Sequence, residues 1–367
     1  MSTTVVVVGG GYAGTLIAKA LDGDADVTLV DPRDAFVNFS GSLRALARPD
    51  WAHHTFFDYR TLLEHGHVLR DTVTSADPTG VALAAGGRLD ADYLVLATGS
   101  SHSYPVHPRH ATTGAAQAMA DLYATNDQLA HARRVLILGA GPVALELSGE
   151  IREVWPDKRV TVVAPSSELL PGFLPEVREE LLRQLKELNV ELRLGTSLTA
   201  LPPVEAGTAA TFAVTTDTGE SIVADIWFRG FGARVNTGYL EDGALVGLTE
   251  RRTVPVDEHL NVVGHRNVYA LGDIADLSDA KMATHAQTQA LVVVENLRAQ
   301  LQGERPGAVY EPAPVPRILL PLGTRAGVGQ LPGPEGGAVA APLETVVRRK
   351  GADLFTSRFA ERFNRTA

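Results

Sequence analysis

Cysteine is absent from all 367 residues. That excludes disulfides, thiolate metal sites, iron–sulfur ligation and any Cys-x-x-Cys redox shuttle. Long apolar runs are missing too. No stretch approaches the roughly 20 apolar residues that span a bilayer, and the leading MSTTVVVVGGGYAG enters a strand without the basic segment of a secretory signal. The cytoplasm is therefore the expected location. Positive charge is in short supply: 33 Lys and Arg face 43 Asp and Glu, leaving −10 at neutral pH. That balance argues against broad nucleic-acid binding. What remains is an ordinary globular mixture, 45% hydrophobic and 21% charged, in a chain too long for one core, so two or three domains are expected.

The pattern along the chain is strand, glycine turn, helix, strand, and it occurs twice. Residues 4–8 form a β-branched run that ends in three glycines, followed by a helix over 13–21 and a short strand over 27–30 closed by Asp31-Pro32. This is the βαβ unit of a parallel sheet. A further strand, Leu94 to Ala97, stops at Thr98-Gly99. The pattern then restarts with a strand over 135–138, a glycine turn over 139–141, a helix over 143–154 and a strand over 160–163. A charged amphipathic helix near 181–188 leads into a strand over 190–194. Residues 211–228 alternate as an antiparallel meander would, and 229–236 read as a crossing back to the first unit, where 268–273 supply another strand. A helix over 284–302 precedes GERPGAVYEPAPVP, a Pro- and Gly-rich linker into a third unit of strands and turns that closes with a helix over 353–363.

Three motifs carry chemistry. In Gly9-x-Gly11-x-x-Gly14 the first glycine permits a tight turn, the second lets backbone approach a pyrophosphate, and the third lets helix and strand pack closely. Asp31 lies 17 residues after Gly14, at the end of the next strand, where a carboxylate can accept hydrogen bonds from a ribose diol. Gly139-x-Gly141-x-x-Ala144 repeats the turn, with alanine in the third position. At the end of its second strand stand Ala164-Pro165-Ser166-Ser167. No carboxylate grips a 2′-hydroxyl there and no arginine attracts a 2′-phosphate, so NADH and NADPH both stay open. In Asn267-Val268-Tyr269-Ala270-Leu271-Gly272-Asp273 a strand ending in Gly-Asp places a carboxylate beside a polyol. A helix that starts near Met282-Ala283-Thr284 can then stabilise negative charge at its N-terminus. His285 reads as a capping or packing residue.

Taken in order, VVVVGGGYAG, DYLVLATGSS, VLILGAGPVALELSGE and NVYALGDIAD resemble the FAD-dependent pyridine nucleotide–disulfide oxidoreductase superfamily. Within it the Cys-free branch fits best, that of the ferroptosis suppressor, apoptosis-inducing-factor-like and type II NADH dehydrogenase proteins. The resemblance implies an α/β fold with two Rossmann-like domains, for FAD and for NAD(P), and a small α+β C-terminal domain. The corresponding boundaries are 1–108 with 234–303 for FAD, 109–233 for NAD(P)H, and 304–367 for the C-terminal domain. It also implies FAD and NAD(P)H as cofactors and a quinone-like acceptor. Gly9, Gly11, Gly14, Asp31, Arg44, Thr98, Gly99, Gly272, Asp273, Met282 and Ala283 fall on the flavin side, and Gly139, Gly141 and Glu146 on the nicotinamide side. Lys350 matches a C-terminal lysine that lies near the flavin in the look-alikes, so Glu146 and Lys350 are the expected catalytic pair.

Other readings stand beside these. Glu146 and Lys350 can be plain surface charges. The chain can serve a ferredoxin, a redox-sensing role or a biosynthetic oxidation in place of a quinone. Leu354, Phe355, Phe359 and Phe363, interspersed with Arg358, Arg362 and Arg365, form a basic amphipathic helix. Such a helix can touch a membrane peripherally, or it can pack on its own domain, which is the reading favoured here. Oligomeric state is not legible.

Overall fold

The computed structural model describes residues 2–109 and 112–365. Its first sheet has five parallel strands in the order Val268–Ala270, Tyr93–Leu96, Thr4–Val8, Asp26–Asp31 and His67–Arg70. Val5 to Val8 are between 0% and 3% exposed, the continuous apolar run demanded of a strand covered on both faces. Helix Tyr12–Leu21 crosses over one face and packs on helix Ala283–Leu301. Ala13, Ile17, Ala18 and Leu21 of the first helix and Val293, Val294 and Leu297 of the second share one core.

A second parallel sheet runs Val190–Leu194, Arg159–Ala164, Arg134–Leu138, Ile226–Arg229. This corrects the meander expected over 211–228. Only Phe212–Thr215 and Ser221–Ala224 form an antiparallel hairpin, while Ile226–Arg229 joins the parallel sheet beside Arg134–Leu138. Alternation misleads there because a hairpin and a buried parallel strand are separated by a single residue. The chain leaves and re-enters the first unit side by side, with Ser100–Ser101 paired antiparallel to Arg234–Val235. A small antiparallel sheet over Val73–Asp77, Gly80–Leu83 and Arg88–Asp90 flanks the first unit.

Beyond the linker, Ile318–Leu322, Ala326–Pro332 and Ala338–Ala340 form an antiparallel sheet. Helix Leu343–Val346 widens into a π turn over Val347–Gly351, and Thr356–Arg362 is the last helix. Its apolar residues are spent internally: Phe359 and Phe363 are 2% and 0% exposed, and the Phe363 ring stacks on Phe36 at 5.6 Å. Burying one such ring contributes about 1.5–3 kcal/mol. The same rings are therefore not presented to a lipid surface, and no described helix is long and apolar enough to cross a membrane.

Candidate functional site

Gly9, Gly11, Gly99 and Gly272 lie at the carboxyl ends of the first sheet's strands, where open α/β sheets bind ligands, and Gly14 lies in the first turn of helix Tyr12–Leu21. Gly9 has φ +103°, and a Cβ there would stand 2.5 Å from Ala97 O. Gly14 is tighter still, since its Cβ would fall 1.8 Å from Gly9 O. Gly11, by contrast, faces open space, and no side chain caps the helix that starts at Tyr12. Asp31 is 6% exposed. It accepts from Gly10 N at 2.7 Å and Arg33 N at 2.8 Å. Burial pushes its carboxyl above the usual range, against the pull of Arg33 and of those two amides. A cleft of about 790 Å³ opens beside it, lined by Arg33, Asp34, Tyr59 and Arg70. A larger one, about 1020 Å³, lies at the amino ends of the strands around Thr4, Asp26 and Asp92, the wrong end of a parallel sheet for a dinucleotide.

Thr98 and Gly99 follow the neighbouring strand. Thr98 Oγ1 donates to Asn236 O at 2.7 Å, while Gly99 faces open space. After the strand Val268–Ala270, Gly272 N donates to Gln289 Oε1 at 2.7 Å, and the Asp273 carboxylate accepts from Ser100 Oγ. Met282 is the N-cap residue of the helix that begins at Ala283, again without a side-chain cap. His285 instead points its Nδ1 at Asp279 Oδ1, 3.3 Å away.

In the second unit Gly139 has φ +101° and Gly141 faces open space at an uncapped helix start, with Pro142 in the first turn. Glu146, on this helix, accepts from Lys350 Nζ at 2.6 Å. The partners are 204 residues apart in sequence. The side chains are 9% and 15% exposed, so the pair is largely shielded from water.

Arg44 lies apart from the glycine turns and is fully buried. Its guanidinium donates to Glu150 Oε1 at 2.9 Å, to Gly351 O at 2.8 Å and to Ala352 O at 3.1 Å. Glu150 also pairs with Arg48, which reaches Glu153 at 3.1 Å. Burial pushes the Glu150 carboxyl up, opposed by Arg44 and Arg48. This knot joins helix Phe39–Ala47, helix Pro142–Val154 and the segment just after Lys350. Glu150 is absent from the residues expected at the site, although a second carboxylate four residues after Glu146 shares its helix face. So is Tyr12, whose hydroxyl accepts from Phe39 N at 2.9 Å and donates to Asn38 Oδ1 at 3.1 Å. Its signal was an aromatic residue inside the first glycine motif. Nearby, His107 stacks on Phe39 at 3.8 Å with neither ring nitrogen hydrogen-bonded. Burial pulls its pKa down to about 2 and keeps it neutral.

Both turns fit a dinucleotide. Backbone that a Cβ would crowd at Gly9 and Gly139 opens to empty space two residues later, and each helix start leaves its amides without a side-chain acceptor. No group of three or more His, Asp or Glu side chains among the described residues is placed to hold a metal.

Comparison with known proteins agrees with this geometry. The family model for pyridine nucleotide-disulphide oxidoreductases matches residues 3–290. The chain is 32% identical over 369 residues to ferroptosis suppressor protein 1 of Taeniopygia guttata, covering 97% of this chain and 95% of that one. It is 31% identical over 363 residues to the Homo sapiens protein of the same name, covering 96% and 94%. In fold it is similar to the sulfide:quinone oxidoreductase of Aquifex aeolicus, with a TM-score of 0.74 at 17% identity over 99% of this chain and 91% of that one.

Proposed function

The chain belongs to the pyridine nucleotide-disulphide oxidoreductase family, and on that premise we propose that it passes electrons from NAD(P)H through FAD to a small quinone-like acceptor. It is a FAD-dependent pyridine nucleotide oxidoreductase with FAD and NAD(P)H as cofactors. Despite the family's description, a disulfide cannot relay electrons here, because there is no cysteine. Electrons therefore leave the cofactor directly for the acceptor. A quinone is supported by the resemblance of the sequence to the Cys-free branch and by a fold neighbour with quinone in its name.

The chemistry that bound FAD would supply is hydride acceptance from NAD(P)H and release of electrons to the acceptor. The first unit's amides at Gly11 and Tyr12 take the pyrophosphate of FAD, Asp31 its adenosine ribose, and Thr98, Gly99, Gly272 and Asp273 the remainder. Met282 and Ala283 present the positive end of their helix to the ring that gains charge. The Gly139 and Gly141 turn holds NAD(P)H. The observation that carries the catalytic assignment is the Lys350–Glu146 pair. It brings a cation from the C-terminal domain onto the nucleotide-binding helix, where the charge balances what the reduced cofactor acquires. Glu146 uses only Oε1 for Lys350, which leaves Oε2 for the amide of the nicotinamide.

Anaerobic titration with NADH and with NADPH should bleach the flavin absorbance, and a short-chain ubiquinone analogue should restore it. Lys350→Ala is expected to slow acceptor turnover by roughly 100-fold while flavin is retained. Unchanged turnover in that variant defeats the charge role. Faster reduction of a ferredoxin than of the quinone defeats the acceptor class.

A further inference from the structure

The two parallel sheets correspond residue by residue. Leu96 lies opposite Val8, the last strand residue before Gly9, and Arg229 lies opposite Leu138, the last before Gly139. Ala97 N donates to Val8 O at 2.8 Å, and Gly230 N donates to Leu138 O at 2.7 Å. The carbonyl that a Cβ on Gly9 would strike belongs to Ala97, and the one facing Gly139 belongs to Gly230. Ala97 therefore corresponds to Gly230, Thr98 to Phe231 and Gly99 to Gly232. The last two glycines both take left-handed φ, +61° and +84°.

At the position where the first unit has Thr98, the second has an aromatic ring. Phe231 is 47% exposed and is flanked by Gly230 and Gly232, and its Cβ lies 3.5 Å from where a Cβ of Gly139 would be. A single exposed apolar side chain is unremarkable by itself. This one stands at the mouth of the second glycine turn on backbone that its two glycines leave free to adjust. The Arg229 guanidinium is 5.1 Å from the Phe231 ring and 5.8 Å from Trp227. It lies against rings, not a carboxylate, among the described residues. It braces one side of Phe231 and brings positive charge to the turn.

The strand order fixes which half of a dinucleotide this side meets. Strand Arg134–Leu138 has Arg159–Ala164 on one flank and Ile226–Arg229 on the other. Adenosine ribose belongs at the end of the strand that follows the glycine helix, here Ala164, so the nicotinamide half crosses toward Arg229. We infer that Phe231, braced by Arg229, is the stacking wall for the nicotinamide half of NAD(P)H. The inference rests on the reading that the second unit holds the nicotinamide cofactor.

Steady-state and stopped-flow reduction of the flavin-loaded full chain test it, using three probes: NADH, reduced nicotinamide mononucleotide (no adenosine) and ADP-ribose (no nicotinamide, read as an inhibitor). Phe231→Ala should raise the KM for NADH and for the mononucleotide alike, by roughly tenfold each, as expected for one lost stacking contact. Inhibition by ADP-ribose and the flavin spectrum should stay as in the parent protein. Phe231→Tyr should restore the KM. An unchanged KM in Phe231→Ala overturns the inference. So does a loss borne by ADP-ribose, which would put the ring on the adenosine half. If the parent protein is reduced by neither NADH nor NADPH, the cofactor reading falls and this inference falls with it.

Discussion

The two glycine turns solve one packing problem with opposite residue choices. In the first, the helix contributes Gly14 and the neighbouring strand end contributes Ala97. In the second, the helix contributes Ala144 and the strand end contributes Gly230, where a Cβ would stand 2.7 Å from that of Ala144. In the second unit the helix methyl lies against a strand-end glycine, whereas in the first the helix glycine lies against Gly9 O, where a Cβ would stand at 1.8 Å. What the turn requires is the close approach, and a glycine at the third position of the motif is only one way to obtain it. The difference continues outward, from Thr98 bonded to Asn236 in the first unit to exposed Phe231 in the second.

If the units hold different cofactors, the same change in each should have different consequences. Gly9→Ala places a methyl against Ala97 O at a left-handed φ, and purified protein should lack flavin absorbance altogether. Gly139→Ala meets a similar carbonyl at 2.9 Å. It should keep its flavin but be reduced by NADH roughly 100-fold more slowly, the scale of a displaced ligand. Equal flavin loss in both variants would end the division of labour.

The next effect concerns what joins the units. Arg44→Met removes one of the two cations facing buried Glu150 and should cost about 3 kcal/mol in urea unfolding, because only the more exposed Arg48 stays paired with that carboxylate. Adding Glu150→Leu should recover most of that loss. If the single variant loses nothing, the knot does not tie the units. The smallest effect falls on the methyl itself: Ala144→Gly should cost about 1 kcal/mol by helix propensity and leave nucleotide affinity unchanged, as read by thermal melting and NADH titration.

Most of the parallel strands and both glycine turns were legible in the sequence because they are local: β-branched runs, glycines at fixed offsets, and Asp31 one strand later; His67–Arg70 and Ile226–Arg229 were not. The C-terminal helix was legible from the spacing of Phe359 and Phe363. Arg44 was not. Its partners are Glu150, 106 residues away, and carbonyls more than 300 residues away, and no periodicity encodes a contact of that range. Phe231 was hidden for a related reason. Its match to Thr98 exists only through strand register, and the sequence pattern divided Ile226–Arg229 between a meander over 211–228 and a crossing over 229–236. The π turn that carries Lys350 has no sequence signature at all.

The ladder Ser100–Ser101 with Arg234–Val235 makes the second unit a guest with a single doorway. Entry and exit stand one strand spacing apart, about 4.8 Å, so the host sheet closes whether or not the guest is there. A module hung this way can be exchanged for another of different nucleotide preference without re-registering any strand of the host.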